Sequence, residues 1–177
     1  MGNRAVLTTA CGNAKHSDNL GVYLHWNGGR DSVEAFLAYC KLQDFRSPET
    51  DSYGWARLCQ VVGNYFGGGT SVGVDVCHRL DCNNHDNGVY IVRDWEIVDR
   101  QYFSGFEQRQ YDLHGMLTKI NQCQPQKEQL EQSIIDGHCA HVKEIKPSLK
   151  ETLKAGADKS KAVITVSAIK SQGEPIL

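Results

Sequence analysis

Long apolar runs and an excess of charge of one sign are both missing from this chain. No stretch of about 18 apolar residues occurs in its 177 residues, so the sequence holds no candidate transmembrane helix. The opening MGNRAVLTTA lacks the apolar core of a secretory signal, and the chain reads as soluble and cytoplasmic. Met1-Gly2 opens like a myristoylation site, but Val6 stands where serine or threonine belongs. With 19 basic against 21 acidic residues there is no global basic footprint, so nucleic-acid binding would need a local patch. No internal repeat or low-complexity tract interrupts the pattern, and the length fits one domain, with or without a tail.

Paired cysteines are missing too. The 7 cysteines fall at positions 11, 40, 59, 77, 82, 123 and 139 with no CxxC among them. They read as reduced thiols, and Cys40 and Cys59, on the apolar faces of predicted helices, as small core hydrophobes.

What is present is a legible order of elements. Arg4 to Thr9 and Gly21 to His25 predict a hairpin whose loop is CGNAKHSDN. Asp31, followed by Glu34, predicts the N-cap of a helix whose core face is Val33, Phe36, Leu37 and Cys40. A second helix is expected from Tyr53 to Tyr65, with Trp55, Leu58, Cys59, Val62 and Phe66 as its stripe and Gly67-Gly68-Gly69 as its stop. Ser71 to Val76, Val89 to Val92 and Glu96 to Val98 predict strands of an antiparallel meander, with Asn87-Gly88 and Asp94-Trp95 as turn signals. Helical spacing returns over Tyr111 to Gln122 and, in more polar form, over Gln126 to Ile135, before a lysine-bearing stretch and a final strand, Ala162 to Ile169. The expected fold is therefore α+β: an antiparallel sheet with two N-terminal helices packed on it. Residues 1–122 form the core domain, and 123–177 a helical, lysine-bearing section ending in a strand.

The segment YLHWNGGRDS, residues 23–32, concentrates polar chemistry at a strand-to-helix junction, where rigid elements commonly hold functional groups. His25 is a neutral-pH acid or base, Arg30 a phosphate clamp, and Asn27, Gly28 and Gly29 could contact an anion beside the helix start. The competing reading makes Gly28-Gly29 a turn, Asp31 a cap and Arg30 a solvated cation. A second polar loop carries His78, Asp81, Asn83, Asn84, His85, Asp86 and Asn87. It is no EF-hand, since Asp86 and Val92 replace the required glycine and glutamate. Cys77, His78, Cys82 and His85 fit none of the usual zinc spacings, so neither a metal nor another cofactor is expected. His138 and His141 are a weak pair, and the lysines from Lys143 and Lys146 to Lys170 are broken by Glu144, Glu151 and Asp158, as on a solvated face.

Four strings go further: Asn3-Arg4-Ala5-Val6, Tyr23-Leu24-His25-Trp26-Asn27-Gly28-Gly29-Arg30, Ala56-Arg57-Leu58-Cys59-Gln60 and Asp86-Asn87-Gly88-Val89-Tyr90-Ile91. Together they resemble a family of small proteins carried by phages and mobile elements of gut and lactic-type bacteria, over roughly residues 1–122. Some small proteins of that neighbourhood look like anti-CRISPR proteins, including ones that act on the guide RNA of an RNA-guided DNA nuclease. The resemblance implies a host-defence antagonist in the bacterial cytoplasm, whose partner is a CRISPR effector nuclease or its guide RNA. The version expected first is enzymatic and cleaves guide RNA. In it His25 and His85 serve as base and acid, Arg30 holds the phosphate, Asp86 or Asp31 orients a histidine, and Asn27, Gly28, Gly29, Lys143 and Lys146 bind substrate. A binding version would block the nuclease by contact, using acidic groups such as Asp44, Glu49, Asp51, Asp81 and Asp86. A mobile-element accessory binding protein is the third possibility.

Overall fold

The computed structural model describes residues 2–9, 19–68, 71–107 and 109–143. Five strands, β1 (Ala5–Thr9), β2 (Leu20–Leu24), β3 (Val72–Val76), β4 (Val89–Arg93) and β5 (Glu96–Gln101), form one mixed sheet in the order β3-β2-β1-β4-β5. The helices are α1 (Arg30–Leu42), α2 (Ser52–Tyr65), α3 (Leu113–Gln122) and α4, residues 132–143. The fold is thus α+β. By contact density the chain divides into Met1–Ile135 and Asp136–Leu177. The expected final strand and Lys146 lie outside the described residues, as does most of the first hairpin loop.

The sheet is mixed where an antiparallel meander was expected. Strand β3 turns back onto β2, and β4 enters on the far side of β1 and pairs with it in parallel, Val6 opposite Val89 and Leu7 opposite Tyr90. Burial explains the choice. All five residues of β1 are buried, so it needs a strand on each side and cover on both faces. The segment after β3 supplies cover on one face, where Cys77, Leu80 and Cys82 pack with Val6, Val89 and Ile91. An alternating apolar pattern states which face of a strand is buried, and leaves open which neighbour it pairs with.

Both edge strands blunt themselves. On β3 the Asp75 carboxylate accepts the N–H of Val76 at 2.8 Å, and on β5 that of Asp99 accepts the N–H of Arg100 at 2.7 Å. Each consumes a donor that could otherwise recruit a further strand. The β4–β5 turn places Asp94 and Trp95 both at positive φ, 48° and 60°, the backbone of a two-residue hairpin with a right-handed strand twist. Tryptophan is an unfavourable residue there. Burial of its ring and a 2.7 Å hydrogen bond from its indole N–H to the Phe45 carbonyl offset the strain.

Helix α1 buries Val33, Phe36, Leu37 and Cys40, and α2 buries Trp55, Leu58 and Val62, as their spacing predicts. The contacts of α1 run to α2, α3 and β5, and those of α2 to α1, α3 and β3. The start of α1 corrects the capping expectation. Gly29 is the N-cap, with no side-chain cap bond, and Asp31 lies inside the first turn. The helix expected over Gln126 to Ile135 is instead a single 3-10 turn at Gln126–Glu128 followed by α4. The turn's Glu128 carbonyl takes hydrogen bonds from Tyr39 of α1 and from Gln43, the residue at its C-cap. Those distant partners are invisible to local spacing.

Candidate functional site

Gly28 explains much of the LHWNGGR string. Its N–H donates to the Asn3 carbonyl at 2.7 Å, and a Cβ there would stand 2.7 Å from the backbone of Asn3, Arg4 and Ala5. Only a glycine lets the β2–α1 loop lie this close to β1. Asn27 takes the left-handed conformation, φ 54°, that brings the chain to it.

From this junction the expected site residues separate. His25 is exposed, with Nδ1 3.3 Å from the Tyr23 hydroxyl and its ring edge-on to Trp26 at a centroid distance of 4.8 Å. Asn27 makes a 3.4 Å bond to the Ser32 hydroxyl. The Arg30 guanidinium donates to Glu34 at 2.8 Å and lies 3.9 Å from Glu107. Gly29, His85 and Asp86, by contrast, line a common cleft of about 430 Å³, which His25 and Arg30 do not line. Asp86 is spoken for: its Oδ2 accepts from Arg4 Nε at 2.7 Å and from the Arg4 backbone N–H at 3.2 Å. Of the expected substrate contacts in the C-terminal section, Lys143 is an exposed residue at the described end of α4. The acidic residues offered for blocking fall on two loops, Asp44, Glu49 and Asp51 between α1 and α2 and Asp81 and Asp86 between β3 and β4.

The opposite wall of the cleft is the connection 102–112, which contributes Phe103, Phe106 and Gln110. Two fastenings hold it. The Asp31 carboxylate accepts the backbone N–H groups of Gln110 and Tyr111 at 2.6 and 2.8 Å, and Glu107 pairs with Arg100. Arg100 is the second organiser. Its side chain is only 9% exposed, its guanidinium stacks 3.4 Å over the Phe103 ring and 4.5 Å over Tyr90, and it donates to the carbonyl and side-chain oxygens of Asn87. Burial pushes its pKa down, against the opposing fields of Tyr90 and Glu107. Burial also pushes the Tyr90 phenol up, and its hydroxyl has no hydrogen-bond partner among the described residues.

Asn84 shapes the histidine-bearing loop from inside. Its buried amide donates to the Asp81 and Gly88 carbonyls and accepts from the N–H groups of Asp86 and Gly88. These four bonds hold the loop's conformation, and no group of three or more His, Cys, Asp or Glu side chains gathers to hold a metal ion among the described residues. Sequence reasoning missed Arg4, Tyr90, Arg100, Glu107 and Asn84 as organisers. Only the last stood in a segment singled out for its polar side chains, four residues before the turn glycine Gly88.

The Asp86–Arg4 pair yields a pH prediction. Burial acts to raise the Asp86 carboxyl, but the Arg4 guanidinium and backbone N–H outweigh it, and the net pKa lies below the ordinary value. A carboxylate depressed in the folded state stabilises above its unfolded pKa of about 4, and that contribution is lost as pH falls through the folded value. Asp86→Asn is therefore expected to be less stable than the parent at neutral pH, the gap closing on acidification. Urea melts at pH 7 and at about pH 2.5 would check it, and an undiminished gap in acid would place the stabilisation elsewhere.

No helix among the described residues is long and apolar enough to cross a membrane. Compared with family models, curated proteins and solved structures, the chain matches none.

Proposed function

We propose that the protein acts by binding rather than by catalysis and, as the resemblance of its LHWNGGR and DNGVYI strings implies, antagonises an RNA-guided nuclease by occupying the nuclease or its guide RNA. The observation that carries the non-catalytic reading is the commitment of the charged groups. Metal-free RNA cleavage needs a base, an acid and a cation converging on one phosphate. Arg30 is held by Glu34 and Glu107, Asp86 by Arg4, and Asp31 by three backbone N–H groups. A cleft with neutralised charges and free amide and imidazole groups is better suited to recognition. Residues 1–135 carry 12 basic and 16 acidic side chains, a balance that favours contact with the nuclease's basic surfaces over contact with RNA phosphates. Lys143 and Lys146 are the groups to examine for RNA contact, because residues 136–177 hold 7 lysines against 5 acidic residues.

Incubation of the protein with guide RNA, with and without the nuclease and with EDTA, tests this reading. The expected result is unchanged RNA length in every lane, reduced DNA cleavage, and full inhibition by His25→Ala. RNA shortening that disappears in His25→Ala would replace it with the ribonuclease reading.

A further inference from the structure

The cleft between the β3–β4 loop and the 102–112 connection holds a particular set of uncommitted groups. Phe106 is 97% exposed, although it lines a cavity. Phe103, its companion, already has Arg100 over its ring. One aromatic ring is therefore free to meet a ligand. Around it stand the Asn3 side-chain N–H₂, whose oxygen partner is taken by Asn87, the Gln110 side-chain amide and the His85 imidazole. Among the described residues these groups have no hydrogen-bond partner. The charge that lines the cleft, Asp86, is compensated by Arg4, and the Arg100 guanidinium stacked on Phe103 by Glu107.

Each feature narrows the ligand. With no unpaired charge of either sign, the cleft offers no counter-ion to a phosphate or an ammonium group, so the part recognised is uncharged. A flat exposed ring favours a planar aromatic face. Side-chain amides carry a donor and an acceptor side by side and read the mixed edges of bases. A sugar would want carboxylate acceptors for its hydroxyls, and Asp86 is spent on Arg4. The volume, about 430 Å³, suits a single small ligand rather than a chain of them.

We propose that this cleft binds one unpaired nucleobase, stacked on Phe106 with its edge toward Asn3, Gln110 and His85. The proposal rests on the binding reading and deepens it by naming the chemistry the cleft recognises. The base could arrive as a free nucleoside or within a single strand, and the two sources are separable by experiment.

The test is a titration of ¹⁵N-labelled protein followed by amide shifts, using adenosine, guanosine, cytidine and uridine, a short single-stranded RNA of mixed sequence, and glucose and N-acetylglutaminamide as comparison ligands. The expected result is saturable shifts at Gly29, the 84–88 loop and Gln110 with at least one nucleoside or with the strand. Phe106→Ala, which removes an exposed ring and leaves the fold intact, should weaken that binding about tenfold, the loss of one base–aromatic stack. Nucleoside binding as tight as that of the strand identifies a small-molecule ligand, and tighter, salt-dependent binding of the strand identifies nucleic acid. Binding to none of them, binding indifferent to Phe106→Ala, or equal binding of glucose or the simple amide would overturn the proposal. Because RNA length is read separately, a protein that fails here yet inhibits without cleaving RNA retains the binding reading and loses only the nucleobase.

Discussion

Gly88→Ala is expected to destabilise the protein by more than about 3 kcal/mol, a loss of more than about 100-fold in the ratio of folded to unfolded protein. Two penalties coincide. The position has φ 67°, which alanine adopts only with strain, and a Cβ there would overlap the Gln101 carbonyl oxygen and approach the Tyr102 carbonyl at 2.7 Å. Neither neighbour is a side chain that can swing away. The Gly88 carbonyl also accepts the Val6 N–H, the first rung joining β4 to β1, so any shift of this residue disturbs the parallel pairing that completes the sheet. Urea denaturation followed by tryptophan fluorescence measures the loss, since the Trp55 and Trp95 indoles are both buried. A decrease under about 1 kcal/mol would mean that the end of β5 yields, and the close approach would not be a constraint.

Asp31→Ala is the second large effect, with an expected cost of about 2–4 kcal/mol. The carboxylate accepts three backbone N–H groups, those of Ser32, Gln110 and Tyr111, and the residue is buried. Truncation leaves the last two, 79 and 80 residues away in sequence, without an acceptor. The result separates an anchor from a cap. Loss of a cap costs about 1 kcal/mol and frays only the first turn of the helix, whereas loss of an anchor frees the 102–112 connection. Hydrogen exchange should therefore accelerate at Gln110 and Tyr111 more than within α1. Faster exchange confined to residues 30–34, with a loss near 1 kcal/mol, would restore the capping account. Release of the connection should also weaken ligand binding in the cleft, since Phe106 and Gln110 ride on it.

Most of the regular elements were legible because their signals are local. The apolar residues of α1 and α2 recur at helical spacing, Gly67 and Gly68 follow α2 at positive φ, and Asp94-Trp95 turns β4 into β5 as the hairpin pattern required. The candidate site was legible on one wall only. Gly29, His85 and Asp86 were read from the sequence and do share the cleft, while Phe106 and Gln110 stood in a stretch with no periodicity and no motif.

The sequence by itself determined where the five described strands and the helices α1, α2 and α3 lie, since side-chain period, turn glycines and breakers act within a few residues. Tertiary structure alone decided which strand lies beside β1, what Asp31 holds and whether Arg30 and Asp86 are free. Strand pairing depends on partners 83 residues apart, as Val6 and Val89 are, and charge compensation on partners 82 apart, as Arg4 and Asp86 are; a charged side chain carries no mark of the ion it will meet. For that reason the LHWNGGR segment shows in its sequence a place where polar groups gather. Its fold reveals that Gly28 is there for close backbone contact and Arg30 for an internal ion pair.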